Sequence, residues 1–155
     1  MRRVARQLSV VSSRRAVHLA RPLLCTPQTS KEARGISSIS RLGTDDPRMS
    51  KLVLHNGVVY MSGQTAADGG GSISAQTKAV LSKIDELLAE AKTDKSRLLS
   101  ATIWLKDINR DFKDMNSVWN DWLDAGNKPV RATVQAEMAR PSILVEIQVT
   151  AASCV

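Results

Sequence analysis

Two charged side chains stand inside stretches patterned like β-strands near the end of the chain. Between residues 128 and 151, Arg131, Thr133 and Gln135 alternate with Ala132, Val134 and Ala136, and Val145, Ile147 and Val149 alternate with Glu146, Gln148 and Thr150. Alternation of period two over six or more residues marks a strand with one face on a core. An arginine and a glutamate within such strands are costly to bury unless they are paired or bound to something. Two readings of them stand open. Either they are solvated charges on an exposed sheet face, or the guanidinium holds a ligand carboxylate through two parallel hydrogen bonds while the glutamate beside it moves a proton.

Other chemistries lack their residues. Of the two histidines only His55 lies beyond residue 41, so no clustered metal site and no Ser-His-Asp or Cys-His arrangement can be assembled there. Asp68-Gly69-Gly70-Gly71 lacks the Gly-Lys-Ser/Thr ending of a phosphate-binding loop, and no dinucleotide fingerprint occurs. What remains is an arginine, a glutamate and small polar groups. Such a set suits binding a small anion and moving a proton or a water, and it calls for no cofactor and no metal.

These residues need elements to position them. Apolar runs at residues 51–54 and 58–62 flank His55-Asn56-Gly57, and Asn-Gly between two such runs signals a tight hairpin. A helix is predicted over residues 74–91, with Val80, Leu81, Ile84, Leu87, Leu88 and Ala91 on one stripe. A strand over 99–105 follows, then a helix over 110–124 with Phe112, Met115, Val118, Trp119, Trp122 and Leu123 as its buried face. Trp119 and Trp122 fall on that stripe and Trp104 falls in the strand, so core packing is expected of all three rather than base stacking. With the last two strands the order is ββαβαββ: an α+β two-layer sandwich, one mainly antiparallel sheet with two helices on one face. The polar faces of the last strands would be bare in a lone subunit.

Residues 1–41 read differently. They hold nine basic residues and one acid, Glu32, with Ser, Val, Leu and Ala between them, the composition of a mitochondrial presequence. Arg14, Arg15 and Arg21 interrupt every apolar block that a secretory signal would need, and Arg34-Gly35-Ile36 offers a processing site. The competing reading is a basic tail that binds nucleic acid. Of the net charge of +7, the leader contributes +8, so residues 42–155 carry −1, from 13 basic and 14 acidic residues. A domain of that charge has no electrostatic footprint for nucleic acid. The expected organisation is a presequence at 1–41 and one domain at 42–155, located in the mitochondrial matrix. No run of eighteen apolar residues occurs, so no membrane-spanning helix is expected. Cys25 in the leader and Cys154 near the end cannot staple a processed chain.

The stretch around the arginine also resembles a known family. Pro129-Val130-Arg131-Ala132-Thr133-Val134, with Val145-Glu146-Ile147 following, is similar to the signature end of the Rid family, the reactive intermediate deaminases also called the YjgF family. Val59-Tyr60-Met61-Ser62-Gly63-Gln64, Thr102-Ile103-Trp104-Leu105-Lys106-Asp107 and Asp114-Met115-Asn116-Ser117-Val118-Trp119 fit in the same order, so the match runs from about residue 48 to 152. The resemblance implies a chorismate-mutase-like fold whose sheets close around a threefold axis into a homotrimeric barrel, with ligand clefts between subunits. It gives Arg131 the grip on a substrate carboxylate, sets Glu146 near the water that attacks an imine carbon, and lines the cleft with Ser62, Asn116 and Thr133.

Two positions depart from the family pattern. Met49 stands where a tyrosine often occurs, and Thr133 where a cysteine often follows the arginine. The implied reaction is hydrolysis of a 2-imino acid, the tautomer of an enamine such as 2-aminoacrylate, to a 2-keto acid and ammonia, which protects pyridoxal-phosphate enzymes. A non-catalytic regulatory module for small carboxylates is the main alternative. An endoribonuclease fits poorly with the charge of −1 and with five aromatic residues in the chain. A fluorescent fusion of residues 1–41 is expected to accumulate in mitochondria; retention in the cytosol would overturn the presequence reading.

Overall fold

The computed structural model describes residues 38–154. The expected presequence therefore lies outside the described residues, except for 38–41. The chain forms β1 (Ser40–Leu42), β2 (Leu52–His55), β3 (Val58–Met61), β4 (Gln64–Thr65), α1 (Ile73–Glu90), β5 (Leu98–Leu105), α2 (Ile108–Trp122), β6 (Val130–Gln135) and β7 (Val145–Ala152). One sheet runs in the order β1-β2-β3-β7-β5-β6, with β4 also paired to β7, and both helices pack on one face. The chain has the expected α+β, chorismate-mutase-like architecture. Strands β1 and β4 were not anticipated. The boundary expected between residues 41 and 42 falls inside β1, which pairs with β2 from Ser40 opposite Leu54 to Leu42 opposite Leu52.

Local chemistry explains the elements. Asn56 and Gly57 both take positive φ, 50° and 73°, and close the β2–β3 hairpin with the twist the flanking strands require. Ser72 caps α1 by accepting from the Ala75 N–H, and the stripe Val80, Leu81, Ile84, Leu87, Leu88 is buried as predicted. Asp107 caps α2 by accepting from the Arg110 N–H, while Gln135 Oε1 accepts from the Ile108 N–H at 3.1 Å. That second bond ties the end of β6 to the start of α2. All strand pairs are antiparallel except β5–β6, which are parallel because α2 carries the chain across between them.

Strand β7 lies centrally and alternates cleanly. Val145, Ile147, Val149 and Ala151 are at most 1% exposed against the helices, while Glu146, Gln148 and Thr150 point to the helix-free face. Three expectations need correction. Trp104 does not join the core: it is half-buried on the helix-free face, opposite Glu146. Phe112 is 43% exposed, because the inward turn of α2 at that level is taken by Asp111, 3% exposed and paired with Arg110 at 2.7 Å. In β6 the alternation is inverted relative to a core strand. Its register with β5 puts Arg131, Thr133 and Gln135 on the helix side, with Ala101, Ile103 and Leu105, and leaves Val130 (73% exposed) and Val134 on the open face.

Gln76, 1% exposed, locks the start of α1 to the loop before β7. Its Nε2 donates to the Gly70 and Ser142 carbonyls at 3.1 and 2.8 Å, and its Oε1 accepts from the Leu144 N–H at 2.9 Å. Gln76→Ala strands these buried groups and should cost about 2–3 kcal/mol of stability. Urea unfolding at fixed protein concentration checks the loss.

Candidate functional site

The sequence-predicted residues fall into two groups on opposite sides of the sheet. The first lies where the flank of α2 faces β6. At 100° per residue, Val118 and Trp122 turn toward α1, whereas Trp119, Phe112 and Asn116 turn to the other flank, beside β6. The tertiary contacts agree: Trp122 Nε1 donates to Asp85 Oδ2 of α1 at 2.9 Å, while the Arg131 guanidinium of β6 sits 5.5 Å from the centre of the Trp119 ring. Trp119 is 3% exposed, so the indole is a fixed platform. Arg131 has no carboxylate within ion-pairing distance among the described residues. The Arg131 side chain is exposed in the single subunit, and its packing against the sheet lowers its pKa only from an already high ordinary value. A guanidinium keeps its charge throughout the physiological range nonetheless.

Asn116 and Thr133 join this group. Asn116 Nδ2 donates to the Phe112 carbonyl at 2.9 Å, which leaves its Oδ1 to accept elsewhere. Thr133, two residues beyond Arg131 on the same side of β6, has a buried hydroxyl without a hydrogen-bond partner among the described residues. A buried, unsatisfied hydroxyl costs about 1–3 kcal/mol. It stands beside Arg131 on the same side of the strand.

The second group lies on the helix-free face. Tyr60 pairs with Thr150 and Gln64 with Ile147, so four steps along β3 and β4 match three along β7. The extra residue is a bulge across residues 61–63, a device that re-aims side chains beside functional sites. Here it brings Gly63 against Glu146: a Cβ at Gly63 would overlap the Glu146 carboxylate, which would have to shift to make room. Ser62 stands at the same bend, its Oγ accepting from Gln64 Nε2 at 3.0 Å and its N–H donating to the Lys51 carbonyl at 3.0 Å. Glu146 is half-buried and has no hydrogen-bond or ion-pair partner among the described residues.

One subunit does not bring Arg131 and Glu146 together. Arg131 pairs with Ala101 and Glu146 with Trp104, three residues apart on the intervening β5, which puts the two side chains on opposite faces. Met49 is 49% exposed in the turn before β2, two residues from Lys51, whose carbonyl accepts from the Ser62 N–H, so it stands on the side of the second group. A cleft of about 600 Å³ lies elsewhere, between the end of β6 and the loop to β7, lined by Lys106, Gln135, Glu137 and Arg140 among others. Sequence reasoning missed Trp119 as the support of Arg131 and Gly63 as the seat of Glu146. The first was hidden in a core stripe; the second stood in the quoted Ser62-Gly63-Gln64 and needed the bulge to show its use.

Comparison with known proteins gives these positions a context. The profile described as Endoribonuclease L-PSP matches residues 44–153. The chain belongs to the YjgF (Rid) family. It is 42% identical over 105 residues to a RutC family protein of Haemophilus ducreyi, covering 68% of this chain and 89% of that one. It is 40% identical over 107 residues to the RutC family protein YoaB of Escherichia coli (strain K12), covering 69% and 92%. A crystal structure of a YjgF-family protein from Neisseria meningitidis superposes with a TM-score of 0.72 at 42% identity, covering 75% of this chain and 95% of that one. Both residue groups therefore lie within the span the family shares.

The Gly63 contact is directly testable. Gly63→Ala should displace the Glu146 carboxylate while leaving the fold intact, since the residue sits at a half-buried bend and not in the helix-side core. Crystallography of the variant should show the Glu146 side chain turned away; an unmoved carboxylate would overturn the contact.

Proposed function

We propose that the protein hydrolyses 2-imino acids, the tautomers of reactive 2-enamines, to 2-keto acids and ammonia. The observation that carries this reading is Arg131, a guanidinium resting on an indole with no carboxylate of its own among the described residues. A cation so placed awaits an anion with two oxygens in a plane. The Asn116 Oδ1 beside it suits the imine N–H. Water adds to the imine carbon and one of its protons passes to nitrogen; the hydroxyl proton of the resulting carbinolamine then passes to nitrogen as the C–N bond breaks, leaving the keto group and ammonia. Glu146 is the group that takes and returns the proton. Water attacks this carbon unaided, so orientation and one proton shuttle suffice.

The same reading requires more than one copy of the chain. Arg131 and Glu146 face opposite sides of their own sheet, so a working site joins Arg131, Asn116 and Thr133 of one copy to Ser62, Gly63 and Glu146 of a neighbour. Tyr60, Val130 and Val134, exposed on the helix-free face, supply apolar area for that contact. A homotrimer closed around a threefold axis satisfies both needs. Within the cell, the basic leader directs this activity to the mitochondrial matrix, where removal of such electrophiles protects pyridoxal-phosphate enzymes.

Three measurements test the proposal. Arg131→Ala should abolish imine hydrolysis in a folded protein, a loss of about 2–4 kcal/mol in transition-state binding, and Arg131→Lys should be nearly as damaging. Glu146→Gln should keep ligand binding and lose turnover. Sedimentation at micromolar concentration should report a trimer. Wild-type rates from folded Arg131→Ala, or a stable monomer with full activity, would sink the assignment. Ligand binding with no turnover in the wild type would point instead to a carboxylate-binding regulatory module.

A further inference from the structure

The groove between α1 and α2 lies on the flank of α2 that turns away from β6. It has a volume of about 320 Å³ and a floor of Leu81, Val118 and Trp122. Its rim carries two carboxylates. Asp85 accepts from Trp122 Nε1 at 2.9 Å, and neither Asp85 nor Asp121 has an ion-pair partner among the described residues. Lys95, 5.4 Å over the Trp122 ring, shows that this end of the groove already holds a cation. Lys78, two turns back along α1, marks the other end.

A segment of the same chain has the complementary chemistry and the reach. Thirty-seven residues precede the described ones and hold eight basic residues against one acid, Glu32. At 100° per residue, Val4, Leu8, Val11 and Leu19 fall on one stripe, interrupted by Arg15, with Arg2, Arg3, Arg6 and Arg21 turned away from it. Pro22 closes the pattern. Strand β1 begins close to the groove, since Ser40 and Leu42 adjoin Glu90, Ala91 and Lys92 at the end of α1. Asp85 lies about 7.5 Å back from Glu90 along the helix axis, and a helix is about 10–12 Å across. Residues 22–37 can extend to about 53 Å, so residues 2–21 reach the groove with chain to spare.

We infer that the groove between α1 and α2 is the docking site of residues 2–21 of the same chain while the leader is attached. The apolar stripe lies on Leu81, Val118 and Trp122, and the arginines meet Asp85 and Asp121. The inference is independent of the deaminase reading. An apolar stripe flanked by arginines is also the surface with which an amphipathic helix binds a membrane. Docking therefore competes with membrane binding and shields the leader in the folded precursor.

Trypsin digestion of the full chain reads the contact. Cutting proceeds from the undocked form, so its rate reports how much of the leader is docked. With an effective concentration on the order of 1 mM and an intrinsic Kd of about 0.1 mM, cutting after Arg6, Arg14 and Arg15 should be about tenfold slower than in a synthetic peptide of residues 1–37. Ser82→Arg combined with Asp121→Arg, both exposed and outside the core, should restore the peptide's rate while the melting temperature stays unchanged. Leu8→Asp should do the same from the leader's side, with the groove intact. Equal rates in the full chain and the peptide would overturn the docking, as would protection that survives the groove substitutions. Protection that fades on dilution would place the leader in the groove of another molecule and overturn it too.

Discussion

The alternation of strand β7 is the constraint on which the rest of the molecule depends. Its odd-numbered residues, Val145 through Ala151, are all but sealed beneath the helices. It pairs with β3 and β4 on one side and β5 on the other. A slip of one residue would exchange four core side chains for Glu146, Gln148, Thr150 and Ala152, so the register is fixed by the hydrophobic cost alone. The same rigidity delivers Glu146 to the helix-free face at one height. The bulge at residues 61–63 then opens the space it occupies.

The βαβ unit of β5, α2 and β6 does the corresponding work for Arg131. The crossover makes β6 parallel to β5 and places its polar alternate residues toward α2. An indole orients a guanidinium without neutralising it. The contact contributes about 0.5–2 kcal/mol, well short of the attraction a desolvated carboxylate would add. The subunit thus holds one cation and one anion, each without a partner in its own chain among the described residues, on opposite faces of one sheet. That separation prevents them from quenching each other.

Much of this was legible in the sequence because it rests on periodicity. The Asn56-Gly57 hairpin, the stripe of α1 and the clean alternation of β7 are local signals, and each was found within a residue or two. Strand β1 was hidden because its three residues follow a basic leader and have no pattern of their own. The inverted alternation of β6 was hidden for a different reason. Arg131, Thr133 and Gln135 look like solvent-facing residues until the parallel pairing with β5 turns them toward α2. Phe112 was misplaced because a helical wheel ranks residues by hydrophobicity and cannot anticipate that the Asp111–Arg110 pair takes the inward turn. The candidate residues were named as one set, and their division between two faces required the register.

The seat of Arg131 on Trp119 has an optical consequence. An indole's emission responds to charge near its ring, and the guanidinium is the charge nearest this one's face, at 5.5 Å from its centre. Neutralising or shifting that cation changes the field across the ring, so the intrinsic fluorescence of Trp119 carries a signal of what Arg131 holds. Trp122, 5.3 Å from Trp119 and itself beneath the Lys95 ammonium at 5.4 Å, is close enough to share excitation with it. The pair forms a built-in probe, with one ring tied to the cation and the other anchored to α1 through Asp85 as an internal reference.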